Sequence, residues 1–584
     1  IKVTDVLGYS TSYTYDEMGN RLSETDPNGN TVRHEYDSMG RRTARIDANG
    51  HRFTFKYNLG GRLILATDPN GHSVRNTYDA MGRLIQVETE AGRVSQTTYD
   101  ANGNITHVKD ANAMADTGHP RNNEGATIYR EYDELNRLVL ERNALNGDTR
   151  YTYDLLGNVT SITDAEGQVT SFVYDDLGRL LETQDPVVEP GEDKTDRVLL
   201  YDEAGNPLLT EDRSGRRQRN SYDKMNRLVG ADYLQDGSSY DWGYYGFGKP
   251  HIAGIDEEEE QKYYYQYTAR YERKKMFDDR GGDIKDWIYS YDPAGNLATK
   301  TKPKGDVTTY QYDSMNRLVG MSNPEYLTAS YHYDGAGRLI DRLLSNGAET
   351  HYQYDNDDRL VQLQSLSADG SAVEDLHYLY DHVGNIVQIS DTASGRTVIY
   401  DYDALYRLVR VDSTNDAEDR AYSYDAVGNR RTEVRNGVTY HYCFDVDDCN
   451  EGPSGNRLMN IRVGSMNGPI YRQFKYDDSG RVTEKLDANG VPLYTVTYDG
   501  KGRASEINGK LFEYDHAGYR IRNGERLHYL EDEHLDSTYD LDGVLKNSYL
   551  HGVVVDELLN GFSYYSEDPV SYTHLRAHET VLDL

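Results

Sequence analysis

Short runs of this chain alternate side by side. Phe53, Phe55 and Tyr57 fall on one side of a run, with Arg52, Thr54 and Lys56 on the other. That period of two marks a half-buried strand. Tyr13 with Tyr15, and Tyr331 with Tyr333, alternate in the same way. Helical periodicity is absent almost everywhere, so the pattern predicts short strands from one end to the other. The runs also recur. A Tyr-Asp pair or a close relative falls at Tyr15, Tyr36, Tyr57, Tyr78 and Tyr99, each step being 21 residues. The frame resumes at Tyr132, Tyr153, Tyr174, Tyr201 and Tyr222, and returns from Tyr291 to Tyr354. It continues through Tyr380, Tyr402, Tyr424, Tyr476 and Tyr498, with Tyr514 and Tyr539 less regular. A fixed period of this length marks one supersecondary unit repeated many times.

Each unit reads as two strands and two turns. In "YDEMGN" Asp16 can accept hydrogen bonds from backbone N–H groups two residues on, while Gly19 supplies the positive φ that ends the turn. At Asn136, Asn226 and Asn316 the glycine is replaced by the residue that best tolerates that conformation. Tyr271 and Tyr406 stand at the same position and fit it poorly, so those two turns are expected to differ. The second turn, "DPNG" at Asp26 to Gly29 and Asp68 to Gly71, has type I preferences.

The array is continuous from residue 1 to 568, degenerate over about 231–290 and carrying an expanded turn at about 443–455. An insertion after Asp110 and another from Asp185 to Asp196 read as exposed loops. Twisted open sheets rarely exceed about ten strands without curling, so so long and narrow a ribbon is expected to wind into a spiral. The fold class is therefore all-β: antiparallel hairpins of about 21 residues in a spiralling ribbon. The 53 Tyr against 9 Phe add a constraint, because a buried phenol needs a hydrogen-bond partner. A thin wall around a wet, partly hollow interior is the arrangement they suit.

With 98 acidic against 63 basic residues and a net charge of −35, the chain lacks the clustered cations of a nucleic-acid binder. No apolar run reaches the ~18 residues of a membrane-spanning helix. Any targeting segment is expected upstream of Ile1.

The strings "YDAMGRL" (Tyr78 to Leu84), "YDLLGNV" (Tyr153 to Val159), "YDAVGNR" (Tyr424 to Arg430) and the intervening "TDPNGN" resemble the Rhs/YD-repeat proteins. The likeness runs over about twenty copies, and "YLHGVVVDELL" (Tyr549 to Leu559) is similar to a segment these proteins carry near their core-terminating region. The resemblance implies a YD-repeat β-shell, incomplete in this fragment, that spirals around a C-terminal polypeptide. In bacterial members the cargo is a variable toxin, delivered by insecticidal toxin complexes or a specialised secretion route. The implied partners are thus the protein's own C-terminal toxin cargo and a component of the delivery apparatus, and the implied location is secreted or cell-surface. Other members are surface proteins, and teneurins use a similar shell in adhesion, so a YD adhesin that binds carbohydrate is the alternative. The family's self-cleavage depends on a region of the type R-Y-Y-D-P-x-x-G-R-F. The nearest fragment here, Glu567 to Pro569, does not match it, so no catalytic residue is carried over and the fragment is read as non-enzymatic.

Residues 569–584 break the frame. "VSYTHLRAHET" can be encoded by a sequence that looks like a transposase library adapter, and the tail is expected to be non-native. Its "HLRAHE" imitates a zinc spacing and carries no weight. The Asp residues recur at alternating turns rather than every nine residues, which favours turn-capping over calcium. No cofactor or metal is expected. Cys443 and Cys449 bracket an acidic loop and either form a local disulfide or stay reduced. Tyr263, Tyr264, Tyr265, Tyr267 and Tyr271 could stack on sugar rings, although a degenerate strand of the array is the preferred reading.

Overall fold

The computed structural model describes residues 1–114, 127–186, 195–234, 239–244, 250–255, 261–270, 272–278, 285–303, 305–324, 328–444, 457–477, 479–499, 502–514, 520–523, 526–531, 534–540, 545–551 and 558–563. Its 51 strands follow one another as an antiparallel meander, from Lys2–Thr4 to Leu558–Ser563. Each strand pairs with the one before it and the one after it. The sheet is an open ribbon two turns wide, as the alternating pattern predicts. One helical turn, Ala111–Met114, opens the insertion after Asp110. Among the described residues no helix is long and apolar enough to cross a membrane.

Both turns of a unit share one geometry. In the Tyr-Asp turn the Gly19 N–H donates to the Asp16 carbonyl at 3.1 Å, and the Asp16 N–H to the Asn20 carbonyl at 3.0 Å. The Asp26 turn makes the same two bonds, at 3.0 and 2.9 Å. Positive φ falls where expected, at 85° for Gly19 and at 61°, 59° and 59° for Asn136, Asn226 and Asn316. Tyr406 corrects the sequence reading. It takes the same conformation at φ 62° and closes the same turn on Asp403. A bulky residue there costs about 1–2 kcal/mol, which is offset by the bond its hydroxyl donates to Asp110. Tyr271 lies outside the described residues.

The two edges of the ribbon are not alike. Beside each Tyr-Asp turn the register slips by one residue: Thr14 faces Ser23 but Tyr15 faces Arg21, leaving Leu22 as an extra residue. The same slip recurs at Tyr36, Tyr78, Tyr153 and Tyr333, and in the degenerate region at Tyr244 and Tyr267. Beside most of the other turns the ladder runs straight, as in Ala44 to Thr54, Arg45 to Phe53 and Ile46 to Arg52. A bulge bends its strand and adds twist. Bulges concentrated on one edge, against a few on the other such as those beside Leu366, Arg462 and Leu486, lengthen that edge and curve the ribbon in one sense.

The tyrosines serve this bulge. The ladder from the strand Arg21–Thr25 to the next one stops at Ser23 and Arg33. The Tyr36 hydroxyl then reaches back and donates to the Arg21 carbonyl at 3.0 Å. Tyr57, Tyr78, Tyr153, Tyr333 and Tyr354 make the equivalent bond at 2.7–2.8 Å. Hydrophobic burial is thin and local. One cluster joins Met321, Ala329 and fully buried Tyr331, and another joins Tyr494, Val496 and Ala504.

The Tyr354→Phe variant should lose about 1 kcal/mol, the net worth of one such bond. Tyr15→Phe should be near neutral in this chain, because Tyr15 is 42% exposed and makes no such bond among the described residues. Urea unfolding of the two variants in parallel checks the difference.

Candidate functional site

What this ribbon builds is a seam. Each Tyr-Asp carboxylate is the hub of its turn. Asp37 Oδ1 accepts the N–H groups of Met39 and Arg41 at 2.9 and 3.0 Å, and Oδ2 accepts Arg41 Nε at 2.7 Å. The Arg41 guanidinium continues over the ring of Tyr57, 5.2 Å from its centroid, and donates to the Asn58 carbonyl at 2.9 Å. One arginine thus ties its own turn to the next unit's tyrosine and turn. Arg83 on Tyr99, Arg137 on Tyr153, Arg338 on Tyr354 and Arg407 on Tyr424 repeat the stack at 4.6–4.8 Å. Where the sequence has "GN" instead of "GR", the asparagine caps its own Asp, as Asn20 does Asp16 at 2.8 Å, and Asn104, Asn206 and Asn296 also donate to the Asn that closes the next Tyr-Asp turn. Hydrogen bonds from the arginine side chain, then from the backbone, hold the Asp37 and Asp223 carboxyls below the usual range. At Asp79 and Asp175 the backbone N–H leads the same downward shift.

The two edges meet across the coil. Asn28, at the tip of the Asp26 turn, donates to Asp292 at 2.9 Å; Asn49 donates to Asp313 at 3.1 Å and Asn70 to Asp334 at 3.2 Å. Each pair is 264 residues apart. The seam continues with Arg93 on Asp357 at 2.8 Å, Asn112 on Asp381 at 3.0 Å, Glu166 accepting the Ala426 N–H at 2.9 Å and Arg216 on Ser479 at 2.6 Å. Before them, Arg270 pairs with Asp5 at 3.1 Å. Sequence separation varies along this list, yet every pair is separated by 23 strands. An odd strand count carries an Asp26-type turn onto a Tyr-Asp turn, so tip meets tip. At ~4.8 Å per strand those 23 strands make a perimeter of about 110 Å, a ring about 35 Å across and a lumen roughly 25 Å wide.

Burial at the seam pushes the carboxyls of Asp313 and Asp334 up, but the hydrogen bonds they accept outweigh it and both remain below the usual range. The second-coil tips are correspondingly small or covered. A Cβ on Gly335 would stand 3.3 Å from Asn70 Oδ1 and 3.4 Å from the Pro69 Cβ. Met315 receives the Ala48 N–H on its sulfur at 3.3 Å. A cavity of about 370 Å³ opens beside Asn28, Asp292, Tyr310, Tyr312 and Asp313; its lining holds no paired nucleophile and base. Asp68, His72 and Asp358 converge at the seam with spacing that could hold a metal ion. The Asp358 oxygen nearest His72 already accepts Arg338 Nη1 at 2.6 Å, which reads as an ion pair across neighbouring turns.

The sequence-derived candidates lie elsewhere. Tyr267 ends the strand Gln261–Tyr267 opposite Arg273 and is half-buried. Tyr263, Tyr264 and Tyr265 share that strand, but their side chains, like all of Tyr271, are outside the described residues. Cys443 is buried at the foot of the expanded turn; Cys449 is outside the described residues. Beside it, burial and then the bond to Glu433 push the Tyr442 hydroxyl up to about 12. Sequence reasoning missed the seam residues Asn28, Asn49, Asn70 and Arg93. The signal for the three asparagines was their third place in "DPNG" and "DANG", recurring at the 21-residue period.

With this geometry in view, the RHS Repeat family matches residues 1–31, 21–52, 36–73, 57–94, 78–113, 132–168, 153–187, 291–328, 333–372 and 380–418. The chain is an Rhs/YD-repeat protein. Solved structures carry the same fold. The Rhs array covers 93% of its length on a chain of the Photorhabdus luminescens Tc holotoxin pore bearing a TccC3 mutation, at 16% identity and TM-score 0.62. It covers 94% on TcdB2-TccC3, at 14% identity and TM-score 0.59. TcdB2-TccC3 without its hypervariable C-terminal region gives 93%, 15% and 0.61. The Rhs array spans 34%, 41% and 34% of those chains. No curated protein matches. The fold is that of an Rhs β-shell, open at both ends of the described ribbon.

Replacing both Asn49 and Asn70 by Ala should cost about 1 kcal/mol per bond and speed amide exchange at the Asp313 and Asp334 turns while sparing the Asp37 turn. The depressed carboxyls set a pH dependence. Their contribution is complete above the ordinary Asp value of about 3.9 and is lost as pH falls through and below it. Stability should therefore hold from neutrality to about pH 5 and drop steeply below about pH 4, as thermal unfolding across pH will read.

Proposed function

We propose that this chain is the wall of a toxin-complex shell that encloses a polypeptide cargo and releases it on delivery. The observation that carries the reading is the seam: coil locks onto coil every 23 strands, which makes a wall and not merely a ribbon. The lumen of roughly 25 Å is wide enough for an extended or loosely packed chain and narrow enough to disfavour a fully folded domain, since even a 100-residue domain has a radius of gyration of about 13 Å. The Tc-type structures that share the fold support the toxin-complex setting. Confinement, rather than a pocket, retains the cargo, which is the protein's own C-terminal toxin. A component of the delivery apparatus is the second partner, and the protein acts outside the cell that makes it. The wall itself performs no chemistry in this reading.

Electron microscopy of the complete gene product should show a hollow β-spiral with density inside, and limited proteolysis should spare the C-terminal cargo until the wall is opened. A solid rod, or a cargo cut as fast as free peptide, sinks the proposal. Within the wall, Cys443 and Cys449 are proposed to bridge and staple the expanded turn. A thiol-alkylating reagent should then label neither cysteine until a reductant is added.

A further inference from the structure

The two faces of the wall are unlike. On the strand Thr31–Tyr36 the side chains of Arg33 and Glu35 are exposed, while His34 between them is only 6% exposed. On the strand Thr328–Tyr333 the same alternation sets exposed His332 against buried Ala329 and Tyr331. Successive side chains point to opposite faces of a strand. The wall is one sheet thick, so curvature alone crowds one of them, and side chains converge on the concave side. The face that carries the tyrosines therefore lines the lumen. Although the chain has a net charge of −35, one stretch of this lining is basic. Arg21 and Glu24 act on His34 from the strand Arg21–Thr25, and Arg42 and Arg45 from the strand Arg42–Ile46. Arg45 stands opposite His34 in register.

Each of these guanidinium groups lies over an aromatic ring: Arg21 over Tyr13 at 5.8 Å, Arg42 over Phe55 at 5.1 Å and Arg45 over Phe53 at 5.3 Å from the centroid. A stacked guanidinium is held flat and keeps its N–H edge for a forked contact with two oxygens. Other strand arginines meet a carboxylate, as Arg52 meets Glu35 at 2.6 Å and Arg130 meets Glu141 at 2.8 Å. Arg21 shares Glu24 at 2.9 Å, but Arg42 and Arg45 have no carboxylate partner among the described residues. His34 supplies an independent observation. Its Nδ1 is buried and has no hydrogen-bond partner among the described residues. Burial first, then the charges of Arg42, Arg21 and Arg45, hold its imidazole below the usual range, with Glu24 opposing them. We propose that Arg21, His34, Arg42 and Arg45 form an oxyanion-binding site in the lumen wall. A free sulfate-like ion and the carboxylates of an enclosed acidic segment share the required chemistry. The site rests on the wall geometry, and only the second source rests on the enclosure proposed above.

Calorimetric titration of the full chain tests the site, with inorganic sulfate in one arm and acetyl-Glu-Glu-amide in the other. Arg42→Gln and Arg45→Gln should each weaken binding roughly tenfold, the loss of one charge-assisted bond. Arg33→Gln, on the exposed face of the same stretch of wall, should leave it unchanged. Arg42 is exposed and Arg45 half-buried, so both changes spare the fold, and circular dichroism checks this. A bound anion favours the proton on His34, so binding should take up a proton. Affinity for either probe should then be greatest at mildly acid pH and fall as pH rises through the ordinary histidine value of about 6.5. Binding of either probe with this pattern supports the site, and the tighter of the two names the source. Failure of both probes to saturate overturns the proposal. So does binding that Arg33→Gln weakens as much as Arg45→Gln does. None of these outcomes bears on whether the wall encloses a cargo, which the proteolysis described above decides.

Discussion

One residue too many on the outgoing strand of each Tyr-Asp hairpin governs the architecture. The extra residue, Leu22 in the first unit, breaks the ladder near the turn and leaves the Arg21 carbonyl beyond its reach. A neighbour could satisfy that carbonyl with water, but water would leave the two strands free to splay. Tyr36 supplies a phenol instead, long enough to cross the gap and rigid enough to fix the spacing. Phe would pack equally well and leave the carbonyl unmet, which accounts for Tyr rather than Phe at the Tyr-Asp position of each unit. The arginine that caps each Asp then lies over that ring, so turn, bulge and next unit are held as one piece.

Curvature follows from asymmetry and closure follows from counting. An excess of bulges on one edge makes the ribbon bend, but bending does not by itself bring Asn28 to Asp292. The coil closes in register because 23 strands separate facing turns from Asn28 on Asp292 to Arg216 on Ser479, with diagonal contacts such as Tyr406 on Asp110 at 25, whatever the insertions between them contribute in residues. The separation is 264 at Asn49, 269 at Asn112 and 260 at Glu166. Insertions lengthen turns without adding strands, so the wall tolerates them where it could not tolerate an extra strand. An even count would bring like edges into phase and set Asp against Asp.

The unit was legible in the sequence because its determinants are local. Asp16, Gly19 and the Asn at 136, 226 and 316 define a turn from residues a few places apart, and alternation at Phe53 to Tyr57 defines a strand. Tyr406 misled for a matching reason: its backbone looks costly in isolation, and the hydroxyl bond that offsets the cost comes from Asp110 in the other coil. The seam was less legible still, since 264 is not a multiple of 21 and no local pattern states where the spiral returns. Recurrent Asn at 28, 49 and 70 was visible, but a turn residue that favours turns draws no notice until its partner is placed. The tyrosine excess suggested phenols that reach water or neighbouring backbone, and along the Tyr-Asp edge they bond backbone carbonyls.

A wall of this kind is strong in one direction and separable in another. Along the ribbon, strands share continuous ladders, tyrosine bonds and stacked arginines, and each unit depends on its neighbours as in other repeat arrays. Between coils the contacts are fewer: one to three polar contacts at a turn tip, with small side chains such as Gly335 packed against Pro69. Each seam pair alone is weak, but pairs held in register by the ribbon act together, so the effective concentration of each is set by its neighbours. Such a seam resists random opening in its middle and yields from an end, one turn at a time. Opening from an end lets a shell stay closed around its contents and still part without unfolding its strands, because the bonds that break first lie between the coils and the bonds that define the fold lie within them.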